Sequence, residues 1–190
     1  MTGEHALVVT GGPLPANQGP LPSADLVIAA DGGADNAAAL GLIVDLVVGD
    51  LDSASSAAVA RAKKVERHPA DKDETDLELA LGAAVAAGVR SVTVVGTLGG
   101  RVDHALTNLL VAAGDRWSNL QIDLRIDGTR AWVVRDHMEV VAQVGDVVSL
   151  LAVGGRAAGV TTTGLAWPLT DAEVEPGVGL GLSNRMAAPK

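Results

Sequence analysis

Short β-prone runs alternate with amphipathic stretches over the first two thirds of the chain, and this alternation constrains the fold more than any other feature. Residues 6–10, 26–30, 46–49, 64–68 and 91–96 read as strands, with little alternation inside the most apolar of them. That is the pattern of βαβ units whose parallel sheet is buried on both faces. Between them, Thr75–Ala87 carries Leu77, Ala80, Leu81 and Ala84 at helical spacing and is stopped by Gly88. Asp103–Ala113 repeats the pattern through Leu106, Leu109 and Leu110. After about Gly114 the segments 120–126, 131–135, 139–142, 147–153 and 160–163 are short and β-prone with turn residues between them, so an all-β region is expected. The seam is expected near 115–119, giving parts 1–117 and 118–190 that pack on each other, since no flexible linker separates them.

At 190 residues the chain is long enough for one large domain or two small ones with a real core. With 2% aromatics, that core must be built from Val, Leu, Ile and Ala. The net charge of −9 repels phosphate backbones and anionic lipid, so neither nucleic acid nor a membrane surface is expected as a partner. The absence of cysteine excludes disulfides, thiolate metal sites and thiol nucleophiles, and fits a cytoplasmic protein. Mean hydropathy is +0.30, a product of Ala and Val richness. Apolar stretches such as Leu79–Val89 fall far short of the ~20 residues a span needs, and Met1–Thr10 lacks the form of a secretory signal.

In an open parallel sheet, ligands sit beyond the carboxyl ends of the strands. Here those ends read Gly11-Gly12-Pro13, Asp31-Gly32-Gly33-Ala34, Gly49-Asp50-Leu51-Asp52-Ser53 and Gly96 to Asp103, four loops that would line one rim. Asp50 and Asp52, two apart, point to one side of an extended chain and suit Mg²⁺; the same pair also serves in simple turns. In Asp71-Lys72-Asp73-Glu74-Thr75-Asp76, Thr75 and Glu78 make a capping box. Asp73 and Asp76 remain over, and crowded carboxylates repel unless a cation sits among them. Gly99-Gly100-Arg101 offers backbone N–H groups and a guanidinium for phosphate, or else a tight turn with Asp103 as N-cap. Together these describe a Mg-nucleotide rim. Neither the dinucleotide Gly-x-Gly-x-x-Gly fingerprint nor a Walker Gly-Lys-Ser/Thr is present, which argues against hydride transfer and P-loop ATPase chemistry.

The ordered series Asp31-Gly32-Gly33-Ala34, Asp45 to Ser53, Lys72 to Glu78, Gly99 to His104, Gly164-Leu165-Ala166-Trp167-Pro168-Leu169 and Leu182-Ser183-Asn184 resembles the thiamine pyrophosphokinase (thiamine diphosphokinase) family. The resemblance implies a Rossmann-like α/β nucleotide domain, a C-terminal β-sandwich that binds thiamine, and a homodimer with active sites between subunits. It implies transfer of the pyrophosphoryl group of ATP to the hydroxyl of thiamine, leaving AMP. Asp50, Asp52 and Asp76, with Asp73, would hold Mg²⁺, and Lys72 or Arg101 would stabilise the remaining negative charge. Asp31, Gly32, Gly33, Gly99, Gly100 and Asp103 would contact the nucleotide, Asp31 and Asp103 alternatively completing the metal shell. Trp167, Ser183 and Asn184 would contact thiamine. Trp117 and Trp132 match no motif and are read as packing residues; His104 is read as a base or as a first-turn residue. Two departures stand out: Arg185 follows Asn184 where the family often has an acid, and Lys190 ends the chain where relatives continue into closing strands, so either the chain is trimmed or the sandwich is completed differently, as by a partner subunit. The competing readings are a pterin pyrophosphokinase, a non-catalytic nucleotide or thiamine sensor, and a haloacid-type phosphatase. The Trp-Pro-Leu and Ser-Asn pair speaks against the first, the intact acids against the second, and the Gly-Gly-Arg-x-Asp loop against the third.

Overall fold

A computed structural model describes residues 4–14, 19–96, 101–126 and 128–188. The chain divides into two compact units, Met1–Val133 and Val134–Lys190.

The first unit is a mixed α/β structure around one large sheet. Its elements are β1 (His5–Thr10), β2 (Leu26–Ala30), α1 (Gly33–Ala39), β3 (Leu46–Gly49), α2 (Ser56–Val59), β4 (Lys64–Arg67), α3 (Asp76–Ala86), β5 (Ser91–Val95), α4 (Val102–Ala113), β6 (Gln121–Ile126) and β7 (Thr129–Trp132). Seven strands lie in the order β4-β3-β2-β1-β5-β6-β7. Every neighbouring pair is parallel except β6 with β7, which turns back antiparallel at the edge.

Strand alternation sorts the apolar runs into two layers. Ala6, Val8, Ile28, Val48, Val92 and Val94 face Leu77, Ala80, Leu81 and Ala84 of α3, with Trp117 in the same layer. Leu7, Val9, Val27, Ala29, Val47 and Val95 face the other way, onto Ala34 and Ala37 of α1 and Ala58 of α2. The anticipated capping box starts α3: Thr75 Oγ1 accepts from Glu78 N–H, and the Glu78 carboxylate accepts from Thr75 N–H at 2.8 Å. The short α1 and α2, absent from the sequence reading, are Ala-rich single or double turns with no full apolar stripe to betray them.

The sheet runs past the expected seam. β6 pairs with β5 and buries Ile122, Leu124 and Ile126 in the α3 layer. Its other face carries Asp123 and Arg125, so its period-two pattern reads like a strand of a separate β domain although it belongs to the first sheet. The division therefore falls after Val133 rather than at 117/118.

In the second unit the described strands are β8 (Val147–Val148), β9 (Ala157–Val160), β10 (Ala172–Val174) and β11 (Asn184–Arg185). They form two antiparallel pairs, β9 with β10 and β8 with β11. The expected strand 139–142 is not formed, 147–153 shrinks to two residues, and 160–163 is displaced toward the N-terminus. Among the described residues no helix is long and apolar enough to cross a membrane.

Candidate functional site

The carboxyl ends of β2 and β3 bring three aspartates together. Asp31 follows β2 at φ +45°, in the left-handed region, with its N–H donating to Val48 O at 2.8 Å and its carbonyl accepting from Ala34 N–H. Asp50 and Asp52 follow β3 around Leu51, which also lies at positive φ (+66°). The Asp50 carboxylate accepts from Asp52 N–H at 3.1 Å, and the Asp52 carboxylate accepts from Ser53 Oγ at 2.8 Å. One carboxylate oxygen from each of Asp31, Asp50 and Asp52 lies within 4.8 Å of the others. Gly49, at φ +138°, makes the approach possible, since a Cβ there would stand 3.0 Å from both Asp31 Cβ and Asp76 Oδ1.

Burial graded across this group gives it its chemistry. Asp31 is only 8% exposed, and its Oδ1 is buried without a hydrogen-bond partner. Burial pushes its carboxyl above the usual carboxylate range, and the charges of Asp76 and Asp50 push the same way, against hydrogen bonds from Ser53 and Gly32. An orphaned oxygen beside two further carboxylates is a donor set for a hard divalent cation, so the residues fit Mg²⁺. Asp76, at the first turn of α3, adjoins the group and faces Lys72 Nζ at 3.0 Å. The ammonium and the Asp76 carboxylate form a close ion pair. The Lys72 side chain is 11% exposed. Burial lowers its pKa, yet Asp76, Asp50 and Asp31 outweigh that and hold it above the ordinary lysine value. The converging trio thus contains Asp31, which the sequence reading left between the nucleotide and the metal shell, while Asp73 stands exposed outside it.

The glycine loops are packed against the same strand ends. A Cβ on Gly33 would lie 2.0 Å from Val9 O, so only glycine lets α1 start this close to β1. Asn36 Nδ2 donates to Thr10 O and Gly12 O, both at 2.8 Å, while Thr10 Oγ1 reaches Gly96 O at 2.6 Å. These latches between α1, β1 and β5 were not foreseen, because a side-chain bond to distant backbone leaves no local signature. Gly99 and Gly100 lie outside the described residues. Arg101 is the N-cap of α4 without a side-chain cap bond, so the expected capping by Asp103 is not formed. Arg101 instead grips Asp103 through Nε at 3.1 Å and Nη2 at 2.5 Å, both side chains being exposed. Those bonds hold the Asp103 carboxyl down at about 2. His104 is exposed on the first turn of α4. Trp117 is buried, with Arg116 stacked 4.8 Å from its ring centre, and Arg130 sits 4.8 Å over Trp132.

In the second unit, segments 164–167 and 184–188 are zipped together by Ala166 N–H to Arg185 O, by Ala187 N–H to Gly164 O and by a bridge between Leu165 and Met186. Trp167 is 62% exposed on this framework. Asn184, expected to contact ligand, is buried and its amide is engaged within the framework. Its Oδ1 accepts from Trp167 N–H at 3.1 Å and Arg185 N–H at 2.8 Å, and Nδ2 donates to Trp167 O at 2.6 Å. Ser183 stands at φ +55°, with its N–H donating to Ser149 Oγ at 3.0 Å.

Residues 20–124 match the family model of the thiamin pyrophosphokinase catalytic domain, and residues 137–190 match that of the thiamin pyrophosphokinase vitamin B1 binding domain. The thiamine pyrophosphokinase of Bacillus subtilis is 28% identical over 189 residues, covering 94% of this chain and 88% of its own length. A crystal structure of thiamine pyrophosphokinase from the same organism superposes with a TM-score of 0.78 at 23% identity, covering 98% of this chain and 91% of that one. Thiamin pyrophosphokinase from Candida albicans shares the fold at a TM-score of 0.61 and 15% identity, over 97% of this chain and 84% of that one. With one family model spanning the strand ends that gather the aspartates and the other spanning the Trp167 framework, the chain belongs to the thiamin pyrophosphokinase family.

Proposed function

We propose that this protein transfers the pyrophosphoryl group of ATP to the hydroxyl of thiamine, forming thiamine diphosphate and AMP. The observation that carries this reading is the joint match of both family domains, in order, over a chain whose β2 and β3 ends converge three carboxylates. The first unit serves as a Rossmann-like nucleotide domain and the second as a β-sandwich that receives thiamine. Asp31, Asp50 and Asp52 hold Mg²⁺, with Asp76 beside them. Bound Mg²⁺ supplies positive charge to the phosphate oxygens.

In the reaction a bond forms from the thiamine hydroxyl oxygen to the β-phosphorus, the α,β-bridging P–O bond breaks, and AMP leaves with the bridging oxygen. One rim carboxylate accepts the hydroxyl proton. Lys72 and Arg101 bring fixed positive charge to the polyphosphate, and the Gly32–Gly33 turn lets the chain approach it closely. Trp167 offers an exposed indole face to the cationic thiazolium, on a backbone clamped by Asn184. We also assign a homodimer: α4 exposes Val102 (82%), Leu106 (56%) and Leu110 (50%) at i, i+4 and i+8, an apolar stripe that supports association. The experiment is to incubate the pure protein with MgATP and thiamine and to identify the products by chromatography. AMP and thiamine diphosphate in equal amounts are expected; ADP as product, or turnover with a hydroxymethylpterin but not with thiamine, overturns the reading.

A further inference from the structure

The crowding of four carboxylates is balanced by a cation that belongs to the chain itself. Asp31, Asp50 and Asp52 present oxygens within 4.8 Å of one another, and Asp76 adjoins Asp31 across Gly49. Against them stands the ammonium of Lys72, 3.0 Å from Asp76 on a side chain that is 11% exposed. Lysine is seldom buried this far unless its charge is matched. Arg67 also approaches, but it donates to the Asp50 carbonyl rather than to a carboxylate. Lys72 lies four residues ahead of Asp76, before α3 begins, so its backbone belongs to the loop and not to the helix ladder.

We infer that Lys72 is the tethered counter-ion of this acidic rim, held by Asp76, neutralising the rim before a divalent cation enters and opposing by its charge the binding of that cation at Asp31, Asp50 and Asp52. The inference rests on the reading of the rim as a divalent-cation site, and goes beyond it by giving Lys72 a role in the free protein. A cation held by the trio would offset the negative charge that holds the ammonium here, leaving Lys72 free to turn to a polyphosphate. A purely structural Lys72–Asp76 staple would act differently: its loss would weaken the fold equally with and without metal.

The test uses the full chain, stripped of metal and without nucleotide, titrated with MgCl₂ at constant ionic strength by calorimetry and in parallel by thermal denaturation. Lys72→Met is expected to bind Mg²⁺ more tightly, on the order of fivefold, the effect of a unit charge repelling a divalent cation about 8 Å away in water. Its Tm should lie below that of the unaltered protein in EDTA, and the gap should close as Mg²⁺ saturates. Lys72→Arg, which keeps the charge, should stay within about twofold of the unaltered affinity. If Lys72→Met does not fold, Lys72→Gln takes its place in the same titration. Unchanged or weaker Mg²⁺ binding by the neutral variant, with binding by the unaltered protein intact, overturns the role of Lys72. No Mg²⁺ binding by the unaltered protein overturns the metal reading of the rim instead, and the inference with it.

Discussion

Asp31→Asn should stabilise the metal-free protein while abolishing its response to Mg²⁺. The substitution keeps the shape of the side chain, and Asn tolerates the left-handed backbone at φ +45° as readily as Asp does. What it removes is charge. At 4.8 Å, two like unit charges repel by about 0.9 kcal/mol even at the dielectric constant of water, and Asp31 faces both Asp50 and Asp52 within that distance. Neutralising a carboxylate oxygen that is buried without a partner relieves a further ~1 kcal/mol. Against these gains stand the attraction to Lys72, about 1 kcal/mol, and the charge-assisted part of the bonds from Ser53 and Gly32, about 1 kcal/mol for the two together. The balance is a gain of about 1 kcal/mol, or roughly 2–4 °C in Tm for a chain of this size. The assay is thermal denaturation of both proteins in EDTA and again in millimolar MgCl₂, with turnover measured alongside. The unaltered protein should rise on adding Mg²⁺; Asp31→Asn should begin higher and stay flat, with AMP formation lost. A lower Tm for the variant in EDTA, or an equal Mg²⁺-induced rise in both proteins, refutes the argument that Asp31 is a strained ligand.

Gly33→Ala should fail structurally rather than chemically. The new methyl would lie 2.0 Å from Val9 O and 2.7 Å from Val9 C, backbone atoms of a buried strand that cannot move aside, and overpacking of this kind costs about 2–3 kcal/mol. A drop in Tm of at least about 5 °C is expected, and an unaltered Tm would mean that α1 does not start against β1. His5 provides a pH dependence. Burial holds it below its ordinary 6.5, outweighing the pull of Asp123 and Asp25, while its ring contacts Ser91 Oγ at 2.9 Å and Thr93 Oγ1 at 3.2 Å. The folded protein therefore binds fewer protons than the unfolded one, so stability is full above pH 6.5 and declines as pH falls from 6.5 toward the lowered folded value. Urea denaturation at stepped pH should show this loss, and His5→Gln should flatten it; a His5 pKa at or above 6.5 by NMR would reverse the sign.

Most of the first unit is legible in the sequence because its signals are local. Runs such as Val8–Val9 and Val47–Val48 are apolar on both faces, and only a sheet covered on both sides accommodates that. Thr75 and Glu78 announce the start of α3. Where the reading fails, the information is not local. Nothing in residues 121–126 tells a strand completing a parallel sheet from a strand beginning a β domain, since the alternation of Ile122, Leu124 and Ile126 with Asp123 and Arg125 suits either. The second unit is harder still, for Val147 and Leu151 are as β-prone as any residue of the sheet yet lie 61% and 73% exposed. Apolar character there does not mark burial within the described chain, so it cannot mark strand boundaries.

The rim shows the same division between composition and geometry. That acids gather beyond the strands follows from chain order; which three converge does not. Asp50 and Asp52 share a turn, and their pairing is written in a two-residue spacing. Asp31 joins them only because β2 and β3 are neighbours and because Gly49 leaves room at the crossing, facts of topology that no spacing encodes. Asp73, closer to Asp76 in sequence than any of the trio, stays exposed because α3 begins at Asp76 and the preceding loop keeps Asp73 in solvent. Asn184 teaches the complementary lesson. Its motif marked it for ligand binding, and the structure shows its amide bonded to the Trp167 backbone, a framework contact that no motif announces. Charge density in a sequence locates such a site to within a rim, and burial then selects the working members, since a carboxylate forced out of water without a partner gains most from a cation.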